Sequence, residues 1–241
     1  QVRLWSVSFQ QGSDFLLESI APEPAAPWSN YVRGVAFMLQ EQGFALSGMD
    51  AVIAGNVPIG SGLSSSAAIE VATAVTFRAL CALDISQLDL VLLCQRAENE
   101  FVGMKCGIMD QFIATMGQHG HALLIDCRSL SYELVPLPPG VSVVVCDTMK
   151  RRGLVDSEYN ARRRECEQGV ELLRRYLPGV KALRDVTSQD LARYGHALPP
   201  VVRKRCAHVV SEDERVLQAV AALRTGGVAE FGRLMGLSHA S

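Results

Sequence analysis

The sequence predicts an α+β protein, on three observations. Strand-like alternation is concentrated in the first half of the chain, the segment after residue 157 reads as helix, and strand–helix–strand alternation is too weak for a doubly wound sheet. A length of 241 residues suits one large domain or two smaller lobes, with enough apolar side chains to bury a real core.

Residues 2–9 alternate in the manner of a half-buried strand, and residues 14–20 are the expected partner. The Pro-rich stretch 21–27 interrupts regular structure and leads into a helix over residues 28–42. A short strand, 49–54, runs into the turn-rich segment 56–62, and a helix follows over 65–83. Ser86 and Asp89 have the spacing of a capping box that opens a helix over 87–101. After a tight turn at 103–107 come a helix over 108–116 and three strand candidates, 122–126, 132–135 and 141–146. Helices over 157–176, 187–194, 201–223 and 228–238 complete the chain. Arg162, Arg163 and Arg164 read as the solvated face of the first of these.

Composition excludes several classes. Lys and Arg total 23 against 25 Asp and Glu, a formal net charge of -2, which provides no field for gripping nucleic acid. The longest apolar helix candidate contains Glu70 and Arg78, so no membrane span is expected. Seven cysteines, none in a C-x-x-C arrangement, read as reduced and mostly buried thiols of a cytoplasmic protein. The five histidines have no ligand spacing, so no zinc site is inferred.

The strongest chemical signal is Pro58-Ile59-Gly60-Ser61-Gly62-Leu63-Ser64-Ser65-Ser66-Ala67-Ala68. Glycines allow close backbone approach to a ligand, and successive N–H groups at a helix start face an anion. The serines add hydroxyl donors and one potential Mg²⁺ ligand. The pattern is not a Walker loop, because no Lys follows the last Gly.

This loop resembles the second signature motif of the GHMP small-molecule kinases. With Cys106-Gly107-Ile108-Met109-Asp110-Gln111-Phe112 downstream, the chain is similar to the galactokinases among them. The likeness extends through Trp28-Ser29-Asn30-Tyr31, Gly120 to Leu130, Ser157-Glu158-Tyr159-Asn160, and into Ser238-His239. It implies a two-lobed fold, with an ATP-binding N-terminal domain over residues 1–150 and the start of a C-terminal domain over 151–241. It also implies phosphorylation of α-D-galactose at its anomeric hydroxyl, with ATP and Mg²⁺. The family's N-terminal Gly-Glu-His-x-Asp sugar motif and its C-terminal Gly-rich motif are not in this sequence. A chain truncated at both ends, inactive by itself, is therefore the expectation.

By motif position, Gly60, Ser61, Gly62, Leu63, Ser64, Ser65 and Ser66 fall at the ATP site, and Ser66 with Glu98 would hold the metal. Asp110 falls at the catalytic position, and Gly107, Asp110 and Tyr159 at sugar contacts. Trp28 corresponds to a residue near the adenine, although a packing anchor at a helix start is a competing reading. Without the motif, Glu98 reads as surface decoration on an acidic helix end. Asp110, among Ile108, Met109, Phe112, Ile113 and Met116, reads either as a desolvated base or as a first-turn carboxylate favoured by the helix dipole. Two other functions stay open: a kinase for another sugar such as N-acetylgalactosamine, and a non-catalytic galactose sensor. The intact serines and Asp110 favour an enzyme over the sensor.

Overall fold

The computed structural model describes residues 1–146 and 155–241, and the side chains of residues 155–160 lie outside that description. The fold is α+β, in two compact units. The first comprises residues 1–119, 125–132 and 145–152, and the second 120–124, 133–144 and 153–241. The boundary expected at residue 150 lies outside the described residues.

The first unit is built on a mixed sheet. Strand β1 (Val2–Ser6) pairs antiparallel with β2 (Gln11–Phe15) and parallel with β3 (Met49–Ile53), in the order β2-β1-β3. Val2 and Leu4 turn to the core while Arg3 and Trp5 face outward, as a period of two requires. The partner strand starts earlier than residue 14, because the chain reverses sooner than the apolar run suggests. Gln10 takes a left-handed conformation (φ 48°), and the Phe9 N–H donates to Ser6 Oγ at 3.3 Å, so Val2 meets Phe15 and both are buried.

Helix α1 (Asn30–Glu41) lays Val32, Val35, Ala36, Met38 and Leu39 on the core. Helix α2 (Ser65–Leu80) adds Val71, Ala74 and Phe77, and α3 (Gln87–Arg96) adds Leu90, Leu93 and Cys94. The expected capping box is present at the start of α3. Ser86 Oγ accepts the Asp89 N–H at 3.1 Å and donates to Asp89 Oδ2 at 2.6 Å. The helix expected to run to residue 101 instead passes at Ala97 into a π-helical turn, Ala97–Val102. Gly34 of α1 accommodates that turn. A Cβ there would lie 3.3 Å from the Ala97 carbonyl oxygen and 3.2 Å from the Phe101 ring. Helix α4 (Met109–Met116) closes the set and packs on α2 and α3.

Strands β4 (His121–Ile125) and β5 (Tyr132–Pro136) form a separate two-stranded sheet. The third strand candidate, residues 141–146, is not a strand: among the described residues it joins no ladder. Val143 and Val144 are 75 % and 80 % exposed. Its β-branched composition favours extended chain, but strand status needs a partner's hydrogen bonds.

The second unit is mainly helical. Helices α5 (Val155–Leu173), α6 (Ser188–Tyr194) and α7 (Pro200–Arg224) enclose a core of Leu173, Val180, Leu183, Leu191, Val202, Cys206 and Val210, and α8 (Val228–Ala240) packs on α7. Thr187 caps α6 reciprocally with Asp190. Arg162, Arg163 and Arg164 are solvent-exposed on α5. The cysteines are less buried than expected: Cys94 and Cys206 are buried, Cys81, Cys106 and Cys166 half-buried, and Cys127 and Cys146 exposed. Among the described residues no helix is long and apolar enough to cross a membrane.

Candidate functional site

The segment between β3 and α2 is a loop with an unusual backbone. Gly60, Gly62 and Ser64 all have positive φ, at 73°, 82° and 59°. For the two glycines this is free of Cβ strain, and for Ser64 it is a sparsely populated conformation of the kind found at binding sites. Ser61 Oγ donates to the Pro58 carbonyl at 2.8 Å and closes the turn. The Ala68 N–H to Ser64 carbonyl bond, at 3.0 Å, is the first of α2. Donors of the first turn therefore have no intrahelical acceptor, and Ser64 supplies no side-chain cap. Among the described residues the Ser64, Ser65 and Ser66 hydroxyls make no hydrogen bond, so the loop presents donors toward solvent.

Glu98 is not surface decoration. It is 5 % exposed, because the π turn keeps it on the side of α3 that carries Leu90, Val91 and Cys94. The neighbouring Glu100 faces solvent and pairs with Arg96 at 3.0 Å. Glu98 Oε2 accepts from Gln111 Nε2 at 2.6 Å and from the Cys106 thiol at 3.2 Å. Gln111 Nε2 also donates to Glu70 Oε2 at 3.1 Å. Glu70 and Gln111 are wholly buried. The sequence reading gave neither a role, although both are polar residues on otherwise apolar helix faces.

Two carboxyl groups thus share one amide in a dry interior. Burial, reinforced by the nearby Glu98 charge, raises the Glu70 pKa to about 9. The same causes, in the same order, push the Cys106 thiol up to about 12, so it is a hydrogen-bond donor rather than a nucleophile. The folded protein holds the Glu70 proton more tightly than the unfolded chain, whose value is near 4.5. This contribution to stability is complete below that value and is lost as pH rises toward about 9. Glu70→Gln is expected to raise the melting temperature at pH 8 more than at pH 5. Equal shifts at both pH values would show that Glu70 does not titrate in this way.

Ser66 lies four residues before Glu70, on the same face of α2, and therefore one turn nearer the loop. Hard oxygen donors of this kind suit Mg²⁺, which takes few protein ligands and keeps water and phosphate oxygens. Among the described residues no cation pairs with Glu98, and its partners are a neutral amide and a thiol. No protein cation among the described residues neutralises it, which suits a carboxylate that would bind a cation.

Asp110 occupies the second position of α4, half-buried, one residue before the buried Gln111. Its apolar surroundings divide. Phe112 is fully buried, while Met109 and Ile113 are 63 % and 41 % exposed. The carboxylate therefore sits at the rim of the core. Asn99 holds the preceding turn, its Oδ1 accepting the Cys106 N–H at 2.7 Å. A Cβ on Gly107 would meet nothing within 4 Å, so the space in front of it is open. Trp28 is 6 % exposed, stacked on Phe9, with its indole N–H on Gln11 Oε1 at 3.0 Å. The Tyr159 side chain lies outside the described residues. One unit thus contains the loop serines, Glu98, Gly107 and Asp110, and within it Gln111 of α4 hydrogen-bonds Glu70 of α2 and Glu98 of the π turn.

Residues 30–118 match the GHMP kinases N terminal domain. All of the chain aligns with the galactokinase of Roseiflexus sp. at 52 % identity and with that of Chloroflexus aggregans at 52 %. It spans 61 % and 62 % of those proteins, about three fifths of their length. The crystal structure of Lactococcus lactis galactokinase complexed with galactose superposes with a TM-score of 0.89 at 32 % identity, over 99 % of this chain and 63 % of that one. A D-glycero-D-manno-heptose 1-phosphate kinase from Bacteriodes thetaiotaomicron, at 15 % identity and a TM-score of 0.57, shares the fold. The GHMP region contains the serine loop, the π turn and all of α4.

Proposed function

We propose that the protein transfers the γ-phosphoryl group of ATP to the anomeric hydroxyl of α-D-galactose, giving galactose 1-phosphate and ADP. The observation that carries this reading is the serine loop at the start of α2, in the same unit as a buried carboxylate and a rim aspartate, in a chain 52 % identical to galactokinases. Residues 1–150 would form the ATP-binding domain and residues 151–241 the start of a second, in a cytoplasmic protein.

Phosphoryl transfer needs positioning and charge neutralisation more than covalent chemistry. The loop from Gly60 to Ser66, Leu63 included, would cradle the phosphates with backbone N–H groups and free hydroxyls. Mg²⁺, held by Ser66 and Glu98, would neutralise charge developing on the phosphate oxygens. Asp110 would orient the anomeric hydroxyl and take its proton as the new O–P bond forms and the bond to ADP breaks. The open space at Gly107 would admit the sugar, whose hydroxyls the Gly107 N–H and the Tyr159 phenol would bind.

The test is ADP release by the full-length natural protein with MgATP and a panel of galactose, N-acetylgalactosamine and glucose. Galactose is expected to give the highest kcat/KM. Preference for N-acetylgalactosamine would reassign the acceptor, and galactose binding without ADP release would make the protein a sensor.

A further inference from the structure

The two buried carboxyl groups of the first unit, Glu70 and Glu98, converge on one amide, that of Gln111. Among the described residues, the buried side-chain atoms without a hydrogen-bond partner are Glu70 Oε1 and Gln111 Oε1. Leaving such atoms unpaired in a core is costly, and an apolar side chain at residue 111 would in turn take the donor from Glu70 and Glu98, so the amide and the two carboxyl groups are coupled.

Resting on the kinase reading above, we propose that Gln111 is the positioning residue of the phosphoryl-transfer site, clamping the serine-loop helix and the π turn to the Asp110 helix. Its single Nε2 reaches Glu70 on α2 at 3.1 Å and Glu98 on the π turn at 2.6 Å, and Gln111 itself follows Asp110 on α4. One side chain thus fixes the three elements that carry the phosphate cradle, the metal carboxylate and the proton acceptor. The chemistry of an amide suits the task. A lysine would neutralise Glu98 and compete with a metal ion, and a carboxylate would add a third acid to a dry pocket. A neutral donor fixes Oε2 of Glu98 and leaves its negative charge available. Outer-shell partners of this kind commonly tune metal affinity or activity by about 10–100-fold.

The experiment uses the full-length protein with Gln111→Leu, and with Glu70→Leu/Gln111→Leu, in which the Glu70–Gln111 pair becomes apolar and part of the lost stability returns, while Glu98 keeps the Cys106 thiol as a donor. For both variants, kcat is expected to fall and the Mg²⁺ concentration for half-maximal rate to rise, each by about 10–100-fold, with KM for galactose nearly unchanged. In metal-free Gln111→Leu the amides of α4 are expected to exchange hydrogen faster than in the unchanged protein. A double variant that regains both melting temperature and kcat would assign Gln111 to packing alone and overturn the proposal, as would unaltered α4 exchange in Gln111→Leu. Unchanged protein without galactose-dependent ADP release overturns the kinase reading and this role with it. Turnover by the unchanged protein alongside unaltered Gln111→Leu kinetics overturns this role alone.

Discussion

Asp110→Asn is expected to lower turnover by about 10²–10⁴-fold, the range for losing a positioned general base, while ATP binding stays close to that of the unchanged protein. The substitution is nearly isosteric at a half-buried position in the first turn of α4, so the helix and its packing should persist. Its structural cost is limited to the interaction of the charge with the helix dipole, about 0.3–1 kcal/mol. The chemical cost is larger, because an amide cannot take up the hydroxyl proton. ATP binding is separable because the loop donors lie at the start of α2, a different helix. The measurement pairs ADP release under saturating galactose with calorimetric titration of the nucleotide. Near-normal turnover would remove Asp110 from the mechanism, and a parallel loss of ATP affinity would place it at the nucleotide instead.

Local patterns made most of the first unit legible. Period-two alternation located β1, and cap chemistry located the start of α3, because both are short-range signals. The polar cluster was also written in the sequence, but as interruptions of apolar stripes. Leu90, Val91, Cys94, Ala97 and Glu98 follow helical spacing, and all five are buried. Ala67, Glu70, Val71, Ala74 and Phe77 form a second such stripe, and Ile108, Gln111 and Phe112 a third. Each stripe carries one polar side chain, and three buried polar groups must satisfy one another. Reading Glu98 by its neighbours Asn99 and Glu100 placed it at the surface. Reading it by Cys94, four residues earlier, places it inside. The turn of β1 into β2 was missed for a different reason. The left-handed Gln10 moves the reversal forward, and no glycine marks it. Residues 141–146 were misread because a valine-rich run signals extended chain, whereas a strand also needs a partner elsewhere in the protein.

Phe112→Ala is expected to destabilise the first unit by about 3–5 kcal/mol, the usual cost of emptying a buried phenylalanine site. Phe112 is fully buried in α4, between the buried Gln111 and the exposed Ile113, and its ring packs edge-to-face with Tyr132 at a centroid distance of 5.5 Å. Helix α4 has only eight residues, too few to hold itself by backbone bonds, so packing of this ring sustains it. A whole domain is stable by about 5–15 kcal/mol, so the loss is a large fraction of the margin. Because α4 also carries Asp110 and Gln111, loosening it should show first as faster hydrogen exchange across residues 109–116 and then as a lowered melting temperature. Phe112→Leu, which keeps much of the volume, should lose clearly less. Thermal melts of the three proteins, with exchange measured at one temperature below all transitions, provide the comparison. An alanine variant melting within a few degrees of the unchanged protein would show that the α2, α3 and α4 contacts close over the cavity, and that Phe112 does not anchor α4.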